Sequence, residues 1–274
     1  MKPDLIERAL ADTQEAFDGV ASVYDRSNAE SGILCEMRRR TLAAVAGHIP
    51  CGSHLLDLGC GPGSDDDQLA RRGYRVTAID WSPAMVEEAT RRVRAAGVGA
   101  HVAVRHLGIQ QLDRLAPSIF DGALSSFGPL NCVPSLPDAA RLVADRLRPG
   151  GVLVASVIGR ICPWEIALYL VRGDWPRMRI RFAKDLVAVP LDRRTVWMRY
   201  HTPRTFEAAF IAAGFTRVSL RALGLFVPPP YAQGFADRHS SLVARLHQLD
   251  DRVGGWPGLR SLGDHFLIVL RKTS

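Results

Sequence analysis

The sequence predicts an α/β domain, an open and mostly parallel sheet with helices on both faces. Three stretches carry that expectation. Leu55-Leu56-Asp57-Leu58-Gly59-Cys60-Gly61-Pro62-Gly63 reads as a buried strand running into a glycine turn. Behind it, Ser64 reads as a helix cap, with Asp65, Asp66 and Asp67 as acids of the first turn. Arg75–Asp80 reads as a second strand ending in an acid, followed by a helix that Ser82 caps and Pro83 starts. At Leu147–Val154 a helix ends, Pro-Gly-Gly turns, and an apolar strand begins.

The other elements follow in order. Residues 1–50 read as an N-terminal helical cap, in which Phe17, Val20, Ala21, Val23 and Tyr24 are spaced to cover an apolar surface. Residues 51–274 read as one domain, whose sheet core runs from Ser53 to about Ile158. His101–His106 and Phe120–Ser125 supply further strands, Thr202 and Pro203 start a helix that Gly214 ends, and a last strand lies near Asp264–Arg271. Two stretches exceed a minimal core, at about 159–200 and 224–262. The first holds Cys162–Leu170, a helix with a wide apolar face, together with Trp175 and Trp197. In the second, three prolines forbid a helix over the apolar run Leu225–Tyr231. Both follow carboxyl ends of core elements, where open sheets build their sites, so a lid over a pocket is expected. Alternatively, these aromatics are the core of the insertions themselves, or the Trp164–Leu170 face with its following arginines touches a membrane surface.

The glycine turn brings a ligand against bare backbone. A dinucleotide fingerprint, G-x-G-x-x-G, fits poorly: Gly59 and Gly61 match, Ser64 stands in the third slot, and Gly63 falls one residue early. Asp57 would also repel a pyrophosphate, whereas it suits a cation or an ammonium group. The pattern D-x-G-x-G-x-G resembles motif I of the class I S-adenosylmethionine (SAM)-dependent methyltransferases, and Asp80-Trp81-Ser82-Pro83-Ala84-Met85 resembles its sequel. The segments Phe120–Asn131, Leu147–Val154 and His201–Phe215 resemble later parts of the same family, and Phe17–Asp25 resembles the N-terminal cap of its small-molecule members.

The resemblance implies a Rossmann-like, seven-stranded sheet that binds SAM and releases S-adenosylhomocysteine. It implies that Asp57, Gly59, Cys60, Gly61 and Gly63 form the methionine corner, that Asp80 holds the ribose, and that Trp81 and Met85 flank the adenine. Ser126 and Phe127 would pass under the methionine moiety. Family members often carry an acid that takes the adenine amino group; here Gly108 occupies its position, which leaves Gln110 and the backbone of Ile109 as partners. Phe17 and Tyr24 would close over the cofactor. Acceptor contacts are expected from Phe17, Asn131, Trp164, Trp197, Phe226 and Tyr231. His201, His106 and Tyr24 are candidates for a base or orienting group, although methyl transfer often needs no dedicated base. The acceptor expected is a small, apolar or aromatic metabolite, methylated on O, N or C. A non-catalytic SAM-binding partner and a nicotinamide-dependent oxidoreductase are the alternatives.

Composition bounds the rest. Hydrophobic residues make up 47% of 274, enough for a core, and no run of about 18 apolar residues reads as a membrane span. Residues 1–18 lack the apolar core of a secretion signal. Five cysteines, Cys35, Cys51, Cys60, Cys132 and Cys162, form no C-x-x-C pair, which suggests reduced thiols, a cytoplasmic location and no metal. The net charge of +7 comes almost wholly from arginine, with seven between Arg172 and Arg199. No nucleic-acid module accompanies them, so a solvated basic face is expected. Either a monomer or a homodimer is compatible with the sequence.

Overall fold

In the computed structural model, residues 3–29 and 31–273 are described. The chain opens on two helices, α1 (Pro3–Ala29) and α2 (Gly32–His48). It then alternates: β1 (His54–Leu58), α3 (Ser64–Arg71), β2 (Arg75–Asp80), α4 (Pro83–Ala95), β3 (Val102–His106), β4 (Phe120–Ser125), α5 (Leu136–Arg146) and β5 (Leu147–Ile158). Two short helices follow, α6 (Pro163–Arg172) and α7 (Trp175–Arg179), and then a hairpin of β6 (Val187–Leu191) and β7 (Arg194–Met198). The chain ends with α8 (Pro203–Ala212), β8 (Phe215–Leu223), α9 (Gln233–Arg238), α10 (Ser240–Val253) and β9 (His265–Lys272).

Seven strands form one sheet in the order β3-β2-β1-β4-β5-β9-β8, and β6–β7 stands apart. β9 is the one strand of this sheet that runs opposite to the rest, pairing antiparallel with both β5 and β8. The strands are continuous apolar runs because both faces are covered. On one face Leu55, Val76 and Val154 pack with Met37, Leu42, Leu69 and Val93 of the helices α2, α3 and α4. On the other, Leu56, Ile79 and Leu153 pack with Val143 of α5 and Phe206 and Phe210 of α8.

Local chemistry sets the helix starts. Ser82 accepts a hydrogen bond from the Met85 amide at 3.1 Å with Pro83 in the first turn, and Thr202 caps α8 in the same way. At α3 the expected cap is displaced by one residue. Gly63, with φ +78°, holds the cap position, and Ser64 is the first residue of the helix. A Cβ on Gly63 would lie 3.1 Å from the Ala89 backbone of α4.

The two insertions go to different places. The hairpin of the first lies against α1. The second packs α9 and α10 on α2, where Ser31 donates to Gln233 and Arg40 to the His247 carbonyl. Beyond the carboxyl end of β5, Arg181 is buried between Glu165 of α6 and Asp264, at 2.5 and 2.6 Å. It also donates to the Gly159 and Asp264 carbonyls. The grouping of Cys162, Glu165 and Asp264 thus already holds a cation, the guanidinium.

Candidate active site

The chain enters the sheet at β1, builds β2 and β3 on one side, and returns to build β4 and β5 on the other. The strand order therefore reverses between β1 and β4, and a crevice opens beyond their carboxyl ends. A cavity of about 300 Å³ fills that crevice. Its floor is the glycine turn after β1 and the Ser126–Pro129 loop after β4. The two loops touch: a Cβ on Gly59, whose φ is +84°, would lie 2.5 Å from the Pro129 ring. Gly61, at φ +54°, faces open space. Both amides at the start of the turn, Gly59 and Cys60, donate to the Ile79 carbonyl of β2.

Carboxylates fix the charge of the floor. Asp80 accepts from the Gly61 amide and from the Ser82 amide, each at 2.8 Å, so it ties the glycine turn to the start of α4. Each oxygen keeps lone pairs for a further donor. Asp57 is buried beneath the turn, and its Oδ1 has no hydrogen-bond partner among the described residues. Asp66 reaches in from α3 and interacts with Asp57; neither of its oxygens has a partner among the described residues, and the two carboxyls can bond to each other only when one of them carries a proton. Burial, reinforced by the neighbouring acids, pushes Asp57 well above the usual carboxylate range. Burial likewise pushes Asp66 up, to about 7. The pair is built to hold a proton or to receive a cation.

Aromatic and amide groups line the walls. Phe127 has a left-handed backbone, φ +60°, held by a 2.7 Å hydrogen bond from its amide to Ser156. Strain of this kind gathers at sites. Arg38 of α2 stands 5.4 Å above its ring and pairs with Asp65 at 2.6 Å. At the far end, the Gln110 side chain occupies the space beside Gly108, where any Cβ would meet it at 2.5 Å. The Gln110 side-chain nitrogen is buried without a partner among the described residues, and Ile109 lines the cavity beside it.

The roof is α1 with the β6–β7 hairpin. Gln14 donates to the Trp81 carbonyl at 2.8 Å, and Asp18 accepts from the Ser82 hydroxyl at 2.5 Å. Val20, Ala21 and Met85 form a small core beneath, with Phe17, Tyr24 and Leu191 against it. Thr13 accepts from the Trp197 amide, and the Trp197 indole donates to Asp12, which sews the hairpin to α1.

Residues 55–151 match a family model described as a methyltransferase domain. Over those residues the chain carries a methyltransferase domain. A ubiquinone biosynthesis O-methyltransferase of Xanthomonas axonopodis pv. citri (strain 306) is 34% identical over 126 residues, 46% of this chain and 51% of the relative. The chain spans about half the length of the relatives it matches in this way. Two solved structures share the fold across nearly the whole chain. The CcbJ methyltransferase of Streptomyces caelestis superposes with a TM-score of 0.64 at 18% identity, covering 96% of this chain and 99% of that one. The Burkholderia thailandensis 1,6-didemethyltoxoflavin-N1-methyltransferase, solved with its namesake ligand and S-adenosylhomocysteine, gives 0.60 at 19%, covering 100% and 92%.

The methyltransferase domain and α1 together gather most of the expected cofactor residues around one cavity: Tyr24, Asp57, Gly59, Cys60, Gly61, Asp80, Trp81, Met85, Ile109, Gln110, Ser126 and Phe127 all line it. Gly63 and Gly108 do not; they shape the backbone behind it. Of the expected acceptor residues only Phe17 lines it. Asn131 is buried and spent on bracing, donating to the Ile158 and Arg199 carbonyls. Trp164 donates to the Phe226 carbonyl within the second insertion's packing, and Tyr231 is exposed with its hydroxyl toward Glu165. Trp197 faces away from the cavity, toward Ile6 and Leu186. His201 is buried against Phe206, where burial pushes it down to about 4. His106 is exposed, with a ring nitrogen 2.9 Å from the Trp81 carbonyl.

Several lining residues carry no motif. Arg38, Thr13 and Gln14 sit on ordinary amphipathic helices, and Val189, Pro190 and Met198 belong to a hairpin whose residues 187–191 read only as a short apolar run.

Proposed function

We propose that this protein transfers a methyl group from SAM to a small, largely apolar or aromatic acceptor. One observation carries the reading: a buried carboxyl, Asp57, without a partner for Oδ1 among the described residues, beneath a glycine turn that Asp80 anchors. Such a floor suits an ammonium group and a sulfonium, and disfavours the diphosphate of a nicotinamide cofactor.

SAM supplies an electrophilic methyl on an excellent leaving group. This chain's residues bind and align it. Asp57 receives the amino group and Arg38 can meet the carboxylate. Asp80 takes the ribose hydroxyls through its remaining lone pairs. Met85 and Trp81 flank the adenine, with Ile109 and Gln110 at its edge. Gln110 fills the place of the acid expected at position 108, and its buried side-chain nitrogen, unpartnered among the described residues, can pair with the ring edge once the amide is suitably turned.

The acceptor would lie under the roof, among Leu10, Phe17, Val189, Pro190, Val196 and Met198. No histidine, lysine or glutamate lines the cavity among the described residues, so His201 and His106 are not placed to act as bases. Tyr24 is the residue that can orient an accepting hydroxyl or amine. Catalysis then rests on in-line alignment and exclusion of water.

Calorimetric titration with SAM tests the reading: micromolar binding is expected, and none at millimolar ligand overturns it. Asp80→Ala is expected to weaken binding about ten- to a hundredfold, the worth of lost charged hydrogen bonds. Release of S-adenosylhomocysteine with a panel of phenols and aromatic amines then separates an enzyme from a silent SAM-binding protein.

A further inference from the structure

The helix α6 is packed the wrong way round for a core element. Its one buried side chain is Glu165, turned inward to the buried Arg181 at 2.5 Å. That ion pair fixes the helix's rotation. At about 100° per residue, Leu170 and Val171 then sit about 120–140° around the helix from Glu165, on the outer side. Leu170 is 46% exposed and Val171 88%.

The corner that follows continues the pattern. Gly173, with φ +67°, ends α6, and Asp174 caps α7. Trp175 opens α7 at 54% exposure. Leu170, Val171 and Trp175 therefore protrude from six consecutive residues. Arg172, Arg177 and Arg179 are exposed among them, and Lys184 lies just beyond. Among the described residues Arg177 pairs only with Asp174, at 3.4 Å on the surface, and Arg172, Arg179 and Lys184 pair with no acid.

We infer that the α6–α7 corner is a membrane-docking tip, which sets Leu170, Val171 and Trp175 into the interface of an anionic bilayer while its arginines meet lipid headgroups. The chemistry fits that occupant. Branched apolar side chains enter the acyl boundary, tryptophan favours the interface, and arginine reaches outward to phosphate from an apolar setting. A second copy of the chain fits less well, because a two-fold contact through this corner would press like-charged arginines together. None of these residues lines the catalytic cavity, so docking is separable from SAM binding.

The test is co-sedimentation of the full chain with phosphatidylcholine vesicles, with and without 30% phosphatidylglycerol (a proportion of roughly the anionic content that attracts basic surfaces). Binding to the anionic vesicles, weakening with salt and at least tenfold poorer to neutral ones, is expected. Val171→Asp and Arg172→Glu are each expected to reduce it by fivefold or more, while thermal melting and SAM titration confirm that both variants are folded. Brominated lipid should quench tryptophan fluorescence in the parent chain and markedly less in Trp175→Ser. Failure to sediment with any vesicle overturns the inference. So does sedimentation that both variants leave unchanged, or a lipid-free dimer, seen by ultracentrifugation, that Val171→Asp abolishes.

Discussion

At the scale of single residues, the Asp57–Asp66 pair has the most to answer for. Two buried carboxyls cannot both ionise cheaply at short range, so the fold raises both. Between the ordinary carboxyl value of 3.8 and about 7, native Asp66 keeps a proton that the unfolded chain has released. Stability in the absence of ligand is thus expected to fall as pH rises through that window, by an amount of order a few kcal/mol. Asp66→Asn should flatten that slope in urea melts taken from pH 4 to 8; an unchanged slope would assign it elsewhere. Binding a cation reverses the preference, so SAM should bind more tightly as pH rises toward 8 and should expel part of a proton near pH 7. Calorimetry in buffers of differing ionisation enthalpy reads that proton directly. The sequence disclosed Asp57 through its place before the glycines. It could not single out Asp66, because three acids in one helical turn look alike until the fold buries two of them and sets Asp65 against Arg38 and Asp66 against Asp57.

At the scale of elements, the roof decides access to the cavity. α1 holds on through a few polar bonds to the β2–α4 junction, among them Asp18 to the Ser82 hydroxyl and, at 3.2 Å, to the Ala84 amide. Asp18→Ala removes the shared acceptor and leaves those donors part-buried, a loss of about 1–3 kcal/mol. Amide exchange in α1 is expected to quicken about tenfold or more while the sheet amides stay protected; equal change in both would mean α1 and the sheet open as one unit. The strands, the helix starts at Pro83 and Pro203 and the helical N-terminus were legible because caps, prolines and apolar runs are local signals. The roof was legible only in part. Phe17 and Tyr24 stood out by helical spacing, yet the hairpin's Val189, Leu191 and Met198 look like any apolar residues, and Trp164 and Trp197 proved to be spent on packing. Aromatic bulk marks burial and leaves the neighbour unspecified. For the same reason the stretch 224–262, expected as lid, lies on α2 and sends no side chain into the cavity.

Across the whole molecule, one arginine ties the first insertion to the sheet. In the sequence the run from Arg172 to Arg199 reads as a solvated basic face, and most of it is exposed or half-buried. Arg181 is the exception. It is buried, and bridges Glu165 of α6 to Asp264 at the foot of β9, while its guanidinium stands 5.1 Å from the Tyr200 ring. Nothing local distinguishes it from its neighbours, because the partners lie 16 and 83 residues away. Removing it strands two carboxylates away from water. Arg181→Met is accordingly expected to cost about 3–5 kcal/mol, far more than the loss of a surface ion pair. The pH dependence should change with it. Burial opposes ionisation of Asp264, but Arg181 and His265 outweigh it and hold its carboxyl well below the usual range. That contribution is present above the unfolded value of 3.8 and is lost as pH falls below it. Parent and variant should therefore differ most near neutrality and converge in acid, as denaturant melts at pH 3 and pH 7 would register. Replacing Arg181, Glu165 and Asp264 together by Met, Leu and Leu should restore much of the loss, since an apolar trio of similar volume needs no partners. If the triple variant is as unstable as Arg181→Met alone, the network's value lies in its backbone contacts to Gly159 and Asp264 rather than in its charges.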